Sequence, residues 1–265
     1  MIHPNWWGNY AIAEKELRYW RIGPSTLWIQ RLVHEWRVYH SQRPDAIDSS
    51  LVVYALTSLG DIEPFAVLNR FVFSRVGEKI SLLPSLADRA VVVRPEDPLS
   101  IMSGEEATLY VSTPLWIRIT AENSNKVLLE VPSYRPSDTW FGTSTLEGEL
   151  CYASRTSGRL ELADLPFRPH RATTPIRLQN RTKETLRLER IKVPVKYLAL
   201  FQGEDTFLWT QTATLICEGG GDMAALQLGR RPPKEAGQVI KIGEARERAE
   251  KNLMVRVFSK LFGNL

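Results

Sequence analysis

Short runs of alternating apolar and polar side chains, each closed by turn residues, constrain this chain more than any other feature. The runs YWRIG, TLWIQRL and EWRVYH alternate at strand spacing and are rich in aromatic and β-branched types, with Gly23, Pro24 and Ser25 turning the first into the second. LVVYAL, FAVLNRFVFS, KISLLPS, AVVVRP, EATLYVS, LWIRIT and KVLLEV follow at similar lengths. Alternation gives a strand one buried and one solvated face, and turn signals at this spacing predict antiparallel sandwiches or barrels. Ser112-Thr113-Pro114 reads as a corner at which a strand switches direction. The stretch TPIRLQNRTKETLRLERIKVP reads as a hairpin turning at Asn180-Arg181-Thr182.

The expected fold is all-β: two antiparallel β-sandwich-like domains with a C-terminal amphipathic helix. Prolines and a loss of alternation in VPSYRP put the boundary near residue 132, giving domains 1–132 and 133–231 and a linker with helix over 232–265. In the tail, Ala245, Ala249, Leu253, Val257 and Leu261 recur every four residues beside Met254, Phe258 and Phe262. A lone helix of that length is marginal in water, so it must find a surface. Leu253, Met254, Val257, Phe258, Leu261 and Phe262 are therefore the expected contacts for the chain's own sheets, a protein partner or a second copy. Three glutamates on the polar face weigh against a membrane surface.

Charge is uneven. From Arg230 onward nine basic residues face four acidic ones, a local excess of five in a chain of net charge +4, so the rest is near neutral. That distribution argues against a nucleic-acid-binding surface. The N-terminal residues lack the basic start and apolar run of a secretory signal, and no run approaches a membrane span, so the chain reads as cytoplasmic. Cys151 and Cys217 lie in apolar strand-like contexts and read as small hydrophobes.

Motifs for catalysis are missing. The four histidines are dispersed, and no CxxC, HExxH or clustered Asp motif supports a metal. EGGGD at 218–222 lacks the Gly-Lys-Ser ending of a phosphate loop and reads as a hairpin loop. Asp138, Glu147, Glu149 and Glu161 are raw material for a carboxylate-based hydrolase, though spacing alone makes no pair of them. No catalytic residue, cofactor or metal is expected.

One stretch gathers the residue types that bind ligands. SYRPSDTWFG, residues 133–142, opens a segment contributing Arg135, Asp138, Trp140, Tyr152, Arg155, Arg168, His170 and Arg171. Guanidinium forks suit carboxylate or phosphate oxygens, and flat rings suit sugars. The competing reading is a capped corner between domains.

STPLWIRI, YRPSDTWFG, EGELCYASRT, LPFRPHRATTPIRLQNR and LRLERIKVPV together resemble the uncharacterised family called domain of unknown function 432, from about Trp7 to about Val195 and beyond. The resemblance implies a cytosolic protein without assigned activity, cofactor or catalytic residues. It also implies a neighbourhood with mechanosensitive-type channels, which favours a partner-binding role. The function expected is a non-catalytic interaction or scaffold protein, self-associating or docking a partner through the tail. The alternative is a module binding an anionic metabolite or carbohydrate at the arginine and aromatic residues above.

Overall fold

The computed structural model describes residues 5–43, 52–122, 126–142, 147–166, 168–204, 206–219, 223–250 and 253–257. The strands begin with β1 (Gly8–Ala11), β2 (Leu17–Ile22), β3 (Ser25–Arg31), β4 (Glu35–Gln42), β5 (Val52–Leu56), β6 (Val67–Val72), β7 (Lys79–Ser85) and β8 (Val91–Val93). They continue with β9 (Leu99–Ile101), β10 (Glu106–Pro114), β11 (Trp116–Ala121), β12 (Val127–Pro132), β13 (Ser137–Gly142), β14 (Gly148–Ala153), β15 (Arg171–Asn180) and β16 (Leu186–Leu188). The last are β17 (Ile191–Val193), β18 (Leu200–Gln202), β19 (Leu208–Thr210), β20 (Ala213–Cys217), β21 (Met223–Leu228), β22 (Ile240–Gly243) and β23 (Met254–Arg256). Among the described residues no helix is long and apolar enough to cross a membrane.

Two compact units divide the chain: Met1–Ser85 with Pro114–Arg135 and Phe167–His170, and Leu86–Thr113 with Pro136–Pro166 and Arg171–Leu265. The first unit holds a five-stranded sheet, β5-β2-β3-β4-β6, and a four-stranded one, β1-β7-β11-β12. Their pairings are antiparallel throughout. Its core is unusually rich in tryptophan: Trp6, Trp20, Trp28 and Trp36 are all buried. Tyr10 of β1 meets Trp20 of β2 edge to face, 5.1 Å between ring centres, so the two sheets share one apolar interior.

Within the first unit, Ser133 of VPSYRP is an anchor. Fully buried, its hydroxyl lies 2.7 Å from the Leu115 carbonyl oxygen and 3.0 Å from that of His170. Gly23, in the β2–β3 turn, has φ +57°, and a Cβ there would lie 2.3 Å from Nδ1 of the buried His170 ring. Alanine meets both the left-handed backbone and that ring. Gly23→Ala is therefore expected to lower the stability of the first unit by about 2–4 kcal/mol, seen as an earlier thermal or urea transition.

The second unit is built on β15. Its eight-stranded sheet runs β22-β18-β19-β15-β20-β21-β23, with β10 also paired to β15. A four-stranded sheet, β13-β14-β8-β17, and the pair β16–β9 complete it. Unlike the expected purely antiparallel arrangement, β15 runs parallel to β19 and β20, and β14 parallel to β8. Short-range alternation reports a strand's buried face, and carries nothing about which distant strand lies beside it.

Among the described residues the expected C-terminal helix does not form. Residues 244–250 are irregular, and Met254–Arg256 forms β23, antiparallel to β21 in the register Ala224↔Val255. The Leu226 amide donates to Leu253 O (2.9 Å) and the Lys192 amide to Val257 O (3.0 Å), so the tail ties an edge of one sheet to an edge of the other. Apolar residues four apart fit a helix, but Val255 and Val257 also fit a strand two apart, and both are buried while Met254 is exposed. Stiff β-branched side chains and the open edge of β21 decide between the two. Of the expected contact residues, Leu253 is half-buried and Val257 fully buried in the chain's own fold. Phe258, Leu261 and Phe262 lie outside the described residues.

The 174–194 hairpin is also corrected. The chain does turn after β15: Asn180 Oδ1 accepts from the Thr182 amide (3.1 Å), and its Nδ2 donates to the carbonyls of Ile101, Met102 and Glu184. The following strand, β16, then pairs with β9 and not with β15. Asn180 is almost wholly buried, and its amide binds the turn to the Ile101–Met102 segment, which carries the returning strand away from its parent.

Candidate anion-binding site

Strands β13 and β14 pair as Thr139↔Cys151 and Phe141↔Glu149, so these four side chains share one face of the four-stranded sheet. Beside β14, Ala90 and Val92 join Phe141 and Cys151 in a small apolar cluster. Next in the sheet, β17 presents Lys192 opposite Val92. Cations close over this cluster. The Arg190 guanidinium carbon lies 5.6 Å from the Phe141 ring centre and Lys192 Nζ 5.9 Å, both within cation–π reach.

Lys192 is buried and ion-paired with Glu149. Arg190 has no carboxylate partner among the described residues. Its Nη2 makes only long contacts, to Thr139 Oγ1 (3.5 Å) and Trp140 O (3.4 Å), and its Nε is sealed from solvent with no hydrogen-bond partner among those residues. Arg94 is its nearest charged neighbour by register: Ile191↔Val93 carried one residue further puts Arg190 opposite Arg94. Burial, and then the Arg94 charge, hold the Arg190 guanidinium below its usual value. Like charges directly opposite on neighbouring strands destabilise a sheet. Two arginines set opposite each other by register, one of them holding only long contacts through its Nη2, form an arrangement suited to an oxyanion.

Cys151, on the same face, is fully buried and free. Burial, and then the nearby Glu149 charge, push its thiol up to about 12. At neutral pH it stays protonated and is no nucleophile. Cys217 is likewise buried and free, raised to about 11 by burial. Among the described residues no group of three His, Cys, Asp or Glu side chains could hold a metal.

The residues expected to bind a ligand do not form one cluster within either unit. Arg135, Arg168 and His170 belong to the first unit, and Asp138, Trp140, Tyr152, Arg155 and Arg171 to the second. Tyr152 is buried, its hydroxyl donating to Asp88 (3.0 Å) beneath the Arg89 guanidinium, which also pairs with Asp138 (3.3 Å). Arg171, buried at the start of β15, donates to Ser112 Oγ (2.7 Å), to the Ser112 carbonyl and to Thr156 Oγ1 (2.9 Å). Arg135 and Arg155 are exposed, and Trp140, whose ring leans over Gly148, is 44% exposed. Register puts Trp140, Asp138 and Tyr152 on the sheet face opposite Phe141.

Sequence reasoning missed Arg94, Arg190 and Lys192. The signal was present in ERIKVP, where cations at 190 and 192 alternate with Ile191 and Val193 and so must share one strand face.

These features define an all-β protein with a cationic sheet face in its second unit. The chain belongs to the family described as protein of unknown function (DUF432), whose match spans residues 6–263 and so includes the tail that forms β23. No curated protein and no solved structure matches it.

Proposed function

We propose that the protein is a non-catalytic binding module for a small oxyanion, a phosphate or carboxylate group held between Arg94 and Arg190. One observation carries the reading: register sets the exposed Arg94 opposite the half-buried Arg190, neither has a carboxylate partner among the described residues, and Arg190 Nη2 makes only long contacts of 3.4 Å and 3.5 Å. Phe141 backs the Arg190 plane, and the Lys192–Glu149 pair closes the apolar side. The reading replaces tail docking as the first choice because Leu253 and Val257, expected to dock, serve the chain's own sheets. It is favoured over a carbohydrate site because the exposed ring of Trp140 and the Arg190 guanidinium lie on opposite faces of the sheet. Each unit is read as a sandwich-like stack, and two free buried thiols suit a reducing compartment such as the cytoplasm.

The test is calorimetric titration with inorganic phosphate and pyrophosphate at low salt. Wild-type protein should bind saturably, and Arg190→Leu should weaken binding at least about ten-fold, the scale of losing a charge-assisted hydrogen bond to an anion. Without anion, Arg190→Leu should be as stable as wild type or more so, because a desolvated like-charge contact is removed. Saturable binding indifferent to both Arg190→Leu and Arg94→Leu, or no binding at all, contradicts the proposal.

A further inference from the structure

Beside the two arginines stands a third cation, Lys192, already held by a carboxylate of the chain itself. Glu149 lies directly opposite Phe141 in the β13–β14 pair, and Lys192 of β17 reaches the same face to pair with it. Lys192 and Arg190 are two residues apart and share that face, with their charged ends 5.9 Å and 5.6 Å from the one Phe141 ring centre. After the burial that dominates there, the charges of Glu149, Lys192 and Arg190 all act on the Cys151 thiol, so the three groups surround one point. The Lys192 side chain is 9% exposed and that of Glu149 51%, which makes the carboxylate the solvent side of the pair. An ammonium has three donors, and among the described residues Glu149 is the one hydrogen-bond partner of Lys192 Nζ.

We infer that the site takes a doubly charged phosphate group in preference to a carboxylate, and that the phosphate displaces Glu149 from Lys192 to engage Arg94, Arg190 and Lys192 together. The inference rests on the binding reading above and names its ligand class. Arg94, Arg190 and Lys192 set against Glu149 leave two positive charges on this face, which one dianion neutralises. A buried cation needs an anion beside it, but that anion need not be Glu149. A free carboxylate carries the same single charge as Glu149 and competes poorly with one tethered beside the ammonium. A dianion at the same distance has about twice the Coulomb attraction. Once displaced, Glu149 has solvent to enter, because Gly148, Glu149 and Leu150 form the exposed start of β14. Glu149 thus acts as an internal competitor that holds the site closed to weaker anions.

The experiment is calorimetric titration of the full chain at low salt with inorganic phosphate, above its second pKa, and with acetate. Wild type should bind phosphate at least about ten-fold more tightly than acetate. Glu149→Ala removes the competitor and should tighten phosphate binding at least about five-fold, and the double variant Glu149→Ala, Lys192→Met should return it to the wild-type value. Because Glu149→Ala strands a buried cation, Glu149→Gln, which keeps the side chain's size without its charge, is measured beside it and should shift affinity in the same direction. Phosphate binding that neither Glu149 variant tightens overturns the inference and leaves the Arg94–Arg190 reading standing, as does equal wild-type affinity for phosphate and acetate. A gain that survives in the double variant overturns it too, since it then owes nothing to Lys192. No phosphate binding to wild type removes the binding reading itself, and this inference with it.

Discussion

A chain ending at Arg230 should fail to form a stable second unit. The truncation removes β22 from the edge of β18 and β23 from the edge of β21, together with the buried side chains of Ala236, Val255 and Val257. The two valines alone contribute about 3–6 kcal/mol of burial, before the backbone bonds to Leu226 and Lys192 are counted. It also takes away the Arg246 donation to Leu86 O (2.7 Å) and the Lys196–Glu247 pair. That loss is comparable with the whole stability of an ordinary domain. Calorimetry of full-length and truncated protein should show the transition of the second unit lost or moved far down, with that of the first unit still present. A truncated chain with both transitions unchanged would show that the tail contributes nothing to the fold.

Arg171→Met should lower the stability of the second unit by about 2–4 kcal/mol, because the buried guanidinium makes charge-assisted bonds to Ser112 and Thr156 that methionine cannot replace. Three segments distant in sequence, β10, the loop after β14 and the start of β15, converge on this side chain. Arg171→Lys should recover little of the loss, since an ammonium cannot fork over both oxygens of Ser112 and reach Thr156. Urea titration checks this, and phosphate affinity measured on the same variants at low denaturant should be unaltered. A reversed pattern, with affinity lost and stability kept, would return Arg171 to the ligand-binding role its sequence context suggested.

What could be read from the sequence was local. Alternation located β2, β4, β7 and β11, and the burial of Trp20, Trp36, Ile80, Leu82 and Ile117 follows from it, whereas β3 is buried on both faces and was marked by its aromatic and β-branched side chains. Partners of strands were not legible: TPIRLQN and LRLERIKV look like two arms of a hairpin, yet β15 and β16 go to different sheets because Asn180 ties the turn to the Ile101–Met102 carbonyls. The tail misled for a related reason. Periodicity of four and periodicity of two coexist in LMVRV, and the open edge of β21, with the β-branched valines, chooses between them. The candidate site was half legible. Its neighbourhood, the arginine- and aromatic-rich stretch around Trp140 and Phe141, stood out, but the cations that matter come from β17 and the end of β8, which only the sheet brings together.

Crystals soaked in a heavy oxyanion such as tungstate, with an anomalous difference map, test the central claim most directly. The account predicts a peak within hydrogen-bond distance of the Arg190 and Arg94 guanidiniums, lost in Arg190→Leu crystals. A map empty there, or peaks confined to other surface arginines, would contradict it.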